Sequence, residues 1–275
     1  MNRKHIAGLL TLFLLAACTN TPQQDTTTSD KTQENNTPPL INYTVVGSLP
    51  HDTSSFTEGL LVHDGQLFES TGTEPDMPES RRSLFGIVDR KTGKIDKKAE
   101  LDRNKYFGEG IVFVNDKIYQ LTWQTKIGFI YDAKTYKQMG TFNYNTEGWG
   151  MTTDGKSLIM SDGSSNINFL DPVTFRLQRI LGVSDNNGPV GNINELELIN
   201  GYLYANQWQT SYILKIDTAT GKVVGRLDLG SLVAEAKNKY PDSDSLNGIA
   251  YDSATGKIYV TGKLWPNIYE IKFPL

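Results

Sequence analysis

Short apolar segments separated by polar turns dominate the chain after residue 40. They are rich in Val, Ile, Leu, Phe and Tyr and are broken by Asp-Gly, Asn-Asp and Asn-Gly turns, a pattern typical of β-strands joined by tight hairpins. The one long stretch with helical periodicity runs from Gly230 to Lys239. The pattern therefore predicts an all-β domain that contains a helix near residue 235.

The strand pattern also repeats along the chain. Each repeat has an apolar strand, a tight turn and a second apolar strand, and the five turns lie at Asp64-Gly65, Asn115-Asp116, Asp154-Gly155, Asn200-Gly201 and Thr255-Gly256. Their mean spacing is about 48 residues, and a period of roughly 40 to 50 residues in an all-β chain is typical of propeller blades. A β-sandwich is the alternative architecture, but it would not explain this period.

A third strand follows most of these hairpins and ends in an acidic turn, so each repeat supplies about four strands. The acidic turns begin at Asp89, Asp132, Asp171 and Asp217. The fifth repeat ends early, at Ile268–Ile271, whereas Tyr43–Val46 has no partner strand in its own repeat. We therefore predict a five-bladed β-propeller of four-stranded antiparallel blades over residues 41–275, with the N-terminal strand closing the ring and leaving no long open sheet edge.

The first 40 residues have a different composition. Residues 1–17 combine a short basic segment with an apolar run that is too short to span a bilayer, which indicates a signal peptide. The small residues before Cys18 resemble the lipobox of bacterial lipoproteins, which implies that Cys18 is lipidated; a plain secretory signal with an incidental cysteine is the alternative. Residues 18–40 are polar and predict a disordered tether. The expected location is the exported side of the bacterial cell envelope.

Charge and residue counts exclude several classes of function. The formal net charge of −4 argues against a nucleic-acid partner. Cys18 is the only cysteine, so no intrachain disulfide can form. A closed propeller has no obvious need for a partner subunit, and a monomer is the expected state.

Equivalent positions of the repeats mark a candidate site, because the inner strands of propeller blades surround one central channel. The first strands of the repeats begin at Glu58, Glu109, Trp149, Asn194 and Asn247, and the hairpins end at or near Thr71, Trp123, Asp162, Trp208 and Lys263 with Trp265. This recurrence predicts a cavity with aromatic walls and a few convergent polar groups. Taken singly, the tryptophans could pack between sheets and the asparagines could cap local backbone.

Ten segments between residues 50 and 273 resemble the plant and bacterial glutaminyl-peptide cyclotransferases, which are five-bladed propellers. They are Phe56–Leu60, Phe68–Gly72, Tyr106–Gly110, Ile127–Asp132, Gly148–Gly150, Ser161–Gly163, Asn194–Glu197, Ala205–Thr210, Leu246–Ala250 and Val260–Pro266. Two features depart from the family pattern. Position 58 is glutamate here and glutamine in some members, and the charged loop Thr73–Arg82 is longer than usual.

The resemblance implies that the chain converts the N-terminal glutamine of peptides or proteins to pyroglutamate and releases ammonia. The catalytic glutamate of the family corresponds to Glu109, which would act as general acid and base. Glu58 and Asn194 are expected to hold the amine and backbone of the substrate. Lys263 and the indole N–H groups would orient the amide oxygen or stabilise its developing charge. The walls of the pocket are expected to be Phe56, Trp123, Trp149 and Trp208.

No cofactor is expected for this reaction. The mature chain retains only His51 and His63 and no free thiol, so a zinc site of three His or Cys ligands cannot be built, unlike in the animal enzymes of the same activity, which are zinc enzymes on another fold. Two other functions stay open at this point. A lactonase-like hydrolase would hold Ca²⁺ through hard oxygen ligands, namely Glu58, Asn194, Asn247 and Asp162, and a structural Ca²⁺ could bind there too. A non-catalytic propeller would bind peptides or glycans unchanged.

Overall fold

The repeated strand pattern forms five four-stranded antiparallel sheets in the computed structural model, which describes residues 37–275. Blade 1 contains β2 (Thr57–His63), β3 (Gln66–Thr71), β4 (Leu84–Val88) and β5 (Ile95–Glu100). Blade 2 contains β6 (Gly108–Val114), β7 (Lys117–Thr122), β8 (Ile127–Asp132) and β9 (Gln138–Asn143). Blade 3 contains β10 (Met151–Thr153), β11 (Leu158–Ser161), β12 (Asn166–Leu170) and β13 (Leu177–Gly182).

The second half of the ring adds two blades and two connecting elements. Blade 4 contains β16 (Ile193–Ile199), β17 (Tyr202–Gln207), β18 (Tyr212–Asp217) and β19 (Val223–Asp228). Blade 5 contains β20 (Leu246–Asp252), β21 (Lys257–Gly262), β22 (Asn267–Lys272) and the N-terminal β1 (Thr44–Pro50). The hairpin of β14 (Ser184–Asp185) and β15 (Gly188–Pro189) precedes blade 4, and α1 (Gly230–Lys239) follows it, as the periodicity predicts.

The N-terminal strand closes the ring. β1 pairs antiparallel with β22 as the outer strand of blade 5, and its register runs from Thr44 opposite Lys272 to Pro50 opposite Asn267. The predicted five-bladed propeller and its closure by an N-terminal strand are therefore confirmed.

The hydrophobic core is divided into five clusters, each between two adjacent blades. The inner strands of the blades are buried and the outer strands are more exposed. β6, for example, is buried along its whole length, whereas β13 exposes most of its residues. Burial of apolar surface between neighbouring sheets is the main stabilising contribution, and it fixes the five inner strands β2, β6, β10, β16 and β20 in contact around the axis.

Glycines follow the first site residue of several inner strands because the strands approach closely there. A Cβ atom at Gly110 would lie 2.6 Å from the backbone nitrogen of Met151, and one at Gly150 would lie 2.3 Å from the carbonyl oxygen of Asn194. Blade 4 has Glu195 at the equivalent position. Its buried carboxylate accepts backbone N–H bonds from Leu60, at 3.3 Å, and Ile249, at 2.7 Å, so Glu195 reaches across the axis and joins blade 4 to blades 1 and 5.

The acidic turns of the sequence are structural. Each joins the third strand of a blade to the fourth, and its aspartate accepts hydrogen bonds from the backbone and hydroxyl of the residues that follow. Asp132, for example, accepts bonds from the backbone N–H and the hydroxyl of Thr135. These bonds lower the pKa of Asp132, and they do the same for Asp89, Asp171 and Asp217. The aspartates therefore stabilise turns and take no part in the site.

The predicted signal peptide over 1–17, the lipidated Cys18 and the first part of the 18–40 tether lie outside the described residues. The backbone N–H of Ile41 donates to the carbonyl oxygen of Arg226 in β19 at 2.8 Å, so the chain contacts the propeller from that point. Across residues 37–275, no helix combines the length and the apolar character that crossing a bilayer requires.

Candidate active site

Irregular pairing at the start of the inner strands turns four polar side chains toward the axis. The register between the first two strands shifts at Thr57/Gly59, Gly108/Ile111, Ile193/Leu196 and Leu246/Ile249. A β-bulge re-aims the side chain that it leaves unpaired. The four shifts contain Glu58, Glu109, Asn194 and Asn247, so the same device recurs in blades 1, 2, 4 and 5.

These strand starts open into a cavity of about 510 Å³. All eight residues predicted as catalytic or substrate-binding line it, namely Phe56, Glu58, Glu109, Trp123, Trp149, Asn194, Trp208 and Lys263. The loop Thr73–Arg82 also reaches the cavity, through Thr73, Glu74, Met77 and Arg81. Arg103 holds this loop by donating to the carbonyl oxygens of Glu74 at 3.1 Å and Met77 at 2.7 Å.

Glu58, at the start of β2 in blade 1, is held on two sides by residues of blade 5. The Lys263 ammonium donates to Glu58 Oε1 at 2.7 Å, and the side-chain amide of Asn247 donates to Oε2 at 3.1 Å. Lys263 also lies over the ring of Phe56, with its Nζ 4.5 Å from the ring centroid. Burial raises the pKa of Glu58 to about 7, although the Lys263 charge acts in the opposite direction. Glu58 therefore titrates near neutral pH.

Glu109 lies beside Glu58 and has no cation bonded to it within residues 37–275. It is 5% exposed, and burial, followed by the charge of Glu58, raises its pKa well above the usual value of a glutamate. The Lys263 charge acts against this shift at Glu109, as it does at Glu58. Burial and the neighbouring carboxylate therefore favour the protonated form of Glu109, whereas Glu58 has the Lys263 ammonium as a direct ion-pair partner.

Aromatic rings form the walls of the cavity in two groups. The first group contains Phe56, Phe107 and Trp123, with edge-to-face contacts of 6.1 Å between the two phenylalanine centroids and 5.8 Å between Phe107 and Trp123. The second group contains Trp149 and Trp208, which meet edge-to-face at 5.5 Å. These walls exclude water from the carboxyl pair and explain its desolvation.

Asn194 contributes an open acceptor to the cavity. Its backbone carbonyl accepts the hydroxyl of Ser161 at 2.7 Å, which fixes the residue, whereas its side-chain Oδ1 is buried and finds no hydrogen-bond partner within the described chain. A buried acceptor without a partner is costly in the free protein. The cavity therefore presents a group that a bound N–H would satisfy.

Comparison with known proteins assigns this arrangement to a family. The family model described as "Glutamine cyclotransferase" matches residues 10–273 of the chain. The chain belongs to the glutamine cyclotransferase family. The chain is 39% identical over 231 residues to the glutaminyl-peptide cyclotransferase of Arabidopsis thaliana, which covers 83% of this chain and 70% of that protein. The crystal structure of Myxococcus xanthus glutaminyl cyclase has a TM-score of 0.76 and 32% identity, covering 86% of this chain and 98% of that one.

Several residues that the repeat places at equivalent positions do not reach the cavity of this glutamine cyclotransferase. The expectation that all four tryptophans surround the channel mouth is wrong for Trp265, which is fully buried in a core cluster and donates its N–H to the carbonyl oxygen of Asp244. Asp162 accepts hydrogen bonds from Ser164 and Asn168 and is not among the lining residues. Asn247 lies behind Glu58 rather than in the wall.

Two further residues contribute to the site and were not predicted from the sequence. Phe107 lines the cavity between Phe56 and Trp123. Its position directly before the Gly-Glu-Gly segment of blade 2 is the sequence feature that could have identified it as a site residue. Glu147 accepts the indole N–H groups of Trp123, at 2.8 Å, and Trp149, at 3.0 Å. These two N–H groups are already engaged in the free site, so contact with a substrate oxygen would require them to leave Glu147.

The two histidines of the propeller have structural surroundings. His51 is buried and contacts the carboxylate of Glu69 at 3.0 Å and the carbonyl oxygen of Trp265 at 2.7 Å. His63 stacks on Phe113 at 3.9 Å between centroids. Within residues 37–275, no group of three or more His, Cys, Asp and Glu is arranged to hold a metal ion.

Proposed function

We propose that this chain catalyses the cyclisation of N-terminal glutamine on peptides or proteins to pyroglutamate, with release of ammonia. The observation that carries the proposal is the placement of two buried carboxyl groups, Glu58 and Glu109, in the lining of one aromatic cavity. The family relationship supports the same reaction. Nucleophile and electrophile belong to one residue, so the cavity has only to hold the glutamine side chain folded against its own amine.

The substrate amine has complementary partners in this cavity. Glu58 offers a carboxylate fixed by Lys263 and Asn247, and Asn194 offers its unpaired Oδ1. Both groups accept hydrogen bonds, and an α-amine donates them. A reference α-amine has a pKa of about 7.7, so a useful fraction is neutral and nucleophilic at mildly alkaline pH. Glu58 and Asn194 therefore orient the amine for attack.

Proton transfer is the task of the two buried carboxyl groups. The amine nitrogen bonds to the side-chain amide carbon, and the bond from that carbon to the amide nitrogen breaks. The amine loses one proton, and the departing nitrogen gains one, so ammonia leaves and the enzyme is unchanged. Glu109 delivers its proton to the leaving nitrogen, and the pair recovers a proton from the amine. A raised carboxyl pKa suits both transfers near neutral pH.

The developing negative charge on the amide oxygen needs a donor or a cation. The Lys263 ammonium lines the cavity, and the indole of Trp208, which Glu147 does not hold, supplies a second donor. Electrostatic stabilisation of this kind is usually a large part of catalysis in a water-excluded site. Phe56, Phe107 and the indoles of Trp123 and Trp149 then act as apolar walls.

Mass spectrometry of a peptide that begins with glutamine tests the proposal. We expect the peptide to lose the mass of one ammonia during incubation, with stoichiometric ammonia in solution, and a peptide that begins with asparagine serves as control. We propose that no metal is required, so activity should survive a chelator. An unchanged peptide would contradict the proposed reaction and favour a binding propeller, and loss of activity with the chelator would favour a metal-dependent enzyme.

We further propose that the propeller is a monomer anchored to the exported face of the bacterial cell envelope through a lipid on Cys18. The support is the basic and apolar segment over 1–17, the small residues before Cys18, and the polar segment after it. We expect the wild-type chain to fractionate with membranes and Cys18→Ser to lose this association, as measured by detergent partitioning. Equal partitioning of the two proteins would contradict the anchor.

A further inference from the structure

The aromatic wall of the cavity comes from separate parts of the ring. Trp123 follows β7 of blade 2 and packs against Phe107, whereas Trp149 precedes β10 of blade 3 and packs against Trp208. No ring–ring contact joins Trp123 to Trp149 within the described residues. Their relative orientation must therefore depend on something other than stacking.

Glu147 makes that connection. Its Oε2 accepts the indole N–H of Trp123 at 2.8 Å and that of Trp149 at 3.0 Å, so a single oxygen atom joins the two groups of rings. Glu147 lies two residues before Trp149, on the segment between β9 and β10, and it is not a lining residue of the cavity. Glu147 therefore affects the cavity only through the two tryptophans that it holds.

The chemistry of the groups explains why an acidic residue occupies this position. An indole N–H can only donate, and a carboxylate oxygen has two lone pairs and only accepts. Hydrogen bonds to a charged acceptor are stronger than those between neutral groups. Glu147 forms no salt bridge with a cation within residues 37–275, and the amide of Gln124 is its other partner, at 3.4 Å. Its bonding capacity is therefore directed at the two indoles.

The Trp149 ring is also held by the backbone of Gly163. A Cβ atom at Gly163 would lie 2.5 Å from the indole ring, so the ring lies directly against the backbone of Gly163. With Gly163 on one side and Glu147 at the N–H, the ring has little rotational freedom. A side chain that is locked in this way loses little entropy when a ligand packs against it.

We propose that Glu147 is a positioning residue for substrate binding, holding Trp123 and Trp149 as one rigid wall against the glutamine side chain. The inference rests on the proposed cyclisation. It also assigns the two indoles an apolar role, because their N–H groups already donate to Glu147. The amide oxygen of the substrate would therefore bind Lys263 or Trp208.

Replacing the carboxylate by an apolar side chain of similar size gives the test. In Glu147→Leu, both indole N–H groups lose their acceptor, and the rings can turn out of the productive orientation. The loss of hydrogen bonds to a charged acceptor corresponds to about a tenfold or larger rise in KM for a glutamine-initiated peptide, while kcat changes by about threefold or less. The near-UV circular dichroism of the tryptophans should weaken, and Asn145→Ala, an exposed change in the same segment, should leave both readouts at wild-type values.

Conservative variants separate positioning from general stability. Glu147→Gln retains an oxygen that can accept both N–H groups, so we expect it to recover most of the KM effect, whereas Glu147→Asp is too short to reach both indoles and should resemble Glu147→Leu. If Glu147→Leu does not fold, the comparison of these two variants still tests the proposal. A lowered melting temperature with unchanged KM and unchanged near-UV signal would overturn the proposal, and so would equal KM values for the Gln and Asp variants.

The optical measurement keeps this proposal distinct from the proposed reaction. The near-UV signal of the free protein does not require turnover. If the wild-type protein released no ammonia, the reaction would be excluded, and titration of tryptophan fluorescence with the same peptide would still test the wall. In that case, equal affinity in wild-type protein and Glu147→Leu would overturn the role of Glu147.

Discussion

Replacing Glu109 by glutamine is expected to lower kcat/KM for a glutamine-initiated peptide by about 10²- to 10⁴-fold, the usual contribution of a positioned acid or base. The side-chain amide of the variant can donate a hydrogen bond to the neighbouring Glu58 carboxylate. We therefore expect the melting temperature of Glu109→Gln to stay at or above the wild-type value, because one member of a buried carboxyl pair loses its capacity for charge. Steady-state ammonia release and thermal unfolding measure the two effects.

A second glutamate provides the matched control for this variant. Glu270 pairs with Lys257 at 3.0 Å in the outer part of blade 5, and Glu270→Gln should leave kcat/KM unchanged. Full activity in a folded Glu109→Gln protein would place the acid and base elsewhere in the cavity. A fall in activity that is matched by a fall in melting temperature would instead indicate a structural role.

Replacing Lys263 by methionine is expected to lower kcat/KM by about 100-fold at neutral pH. The substitution keeps the apolar stem of the side chain and removes the ammonium, which is 2.7 Å from Glu58 and faces the cavity. The loss has two causes. The amide oxygen loses a cation, and the Glu58–Glu109 pair binds protons more readily, because Lys263 lowers the pKa of both carboxyl groups. The acid limb of the pH–rate profile should therefore move to higher pH.

The stability of Lys263→Met should depend on pH with a defined sign. Because the folded pKa of Glu58, about 7, lies above its unfolded value, its protonated form is favoured in the fold, and this contribution is lost as pH rises toward the folded pKa. In Lys263→Met, the pKa of Glu58 in the folded protein is higher than in wild type. The free energy of unfolding therefore keeps falling to higher pH, by about 1.4 kcal/mol per pH unit. We expect melting temperatures close to wild type at pH 6 and lower than wild type at pH 9.

Lys257→Met is the control, because it breaks an exposed ion pair of the same blade. An exposed pair contributes little to stability, and its loss should change neither the pH–rate profile nor the difference in melting temperature between pH 6 and pH 9. If Lys263→Met were equally destabilised at both pH values, Glu58 would not be the group that titrates.

The sequence predicted the fold almost completely because a propeller is encoded by local patterns. Alternation of apolar residues, tight turns and a period near 48 residues fixed the number of blades. The short fifth repeat identified Tyr43–Val46 as the closing strand, and the structure extends that strand to Thr44–Pro50. The helix from Gly230 to Lys239 has the predicted bounds. Each of these features depends on residues that are neighbours in the chain or in the repeat.

The candidate site was predicted in part for the same reason. Positions that are equivalent in a radial repeat converge on the axis, so Glu58, Glu109 and Asn194 could be brought together without coordinates, and the structure places them in one cavity. Their roles in the reaction stay predictions. The prediction is wrong for Trp265 and Asp162. Equivalent positions in the repeat fix where the backbone lies, but local packing decides the direction of the side chain.

The sequence by itself determined the repeat, the ring and the set of residues at its inner strand starts. Only the tertiary structure decided which of them touch. Glu58 meets Lys263 across 205 positions of the chain because the ring closes blade 5 against blade 1. Glu147 reaches Trp123 across 24 positions because the next residue, Gly148, donates its backbone N–H to the carbonyl oxygen of Trp123 at 3.0 Å. The raised pKa of Glu109 also depends on the tertiary structure. Burial and a neighbouring charge cause it, and both exist only in the folded chain.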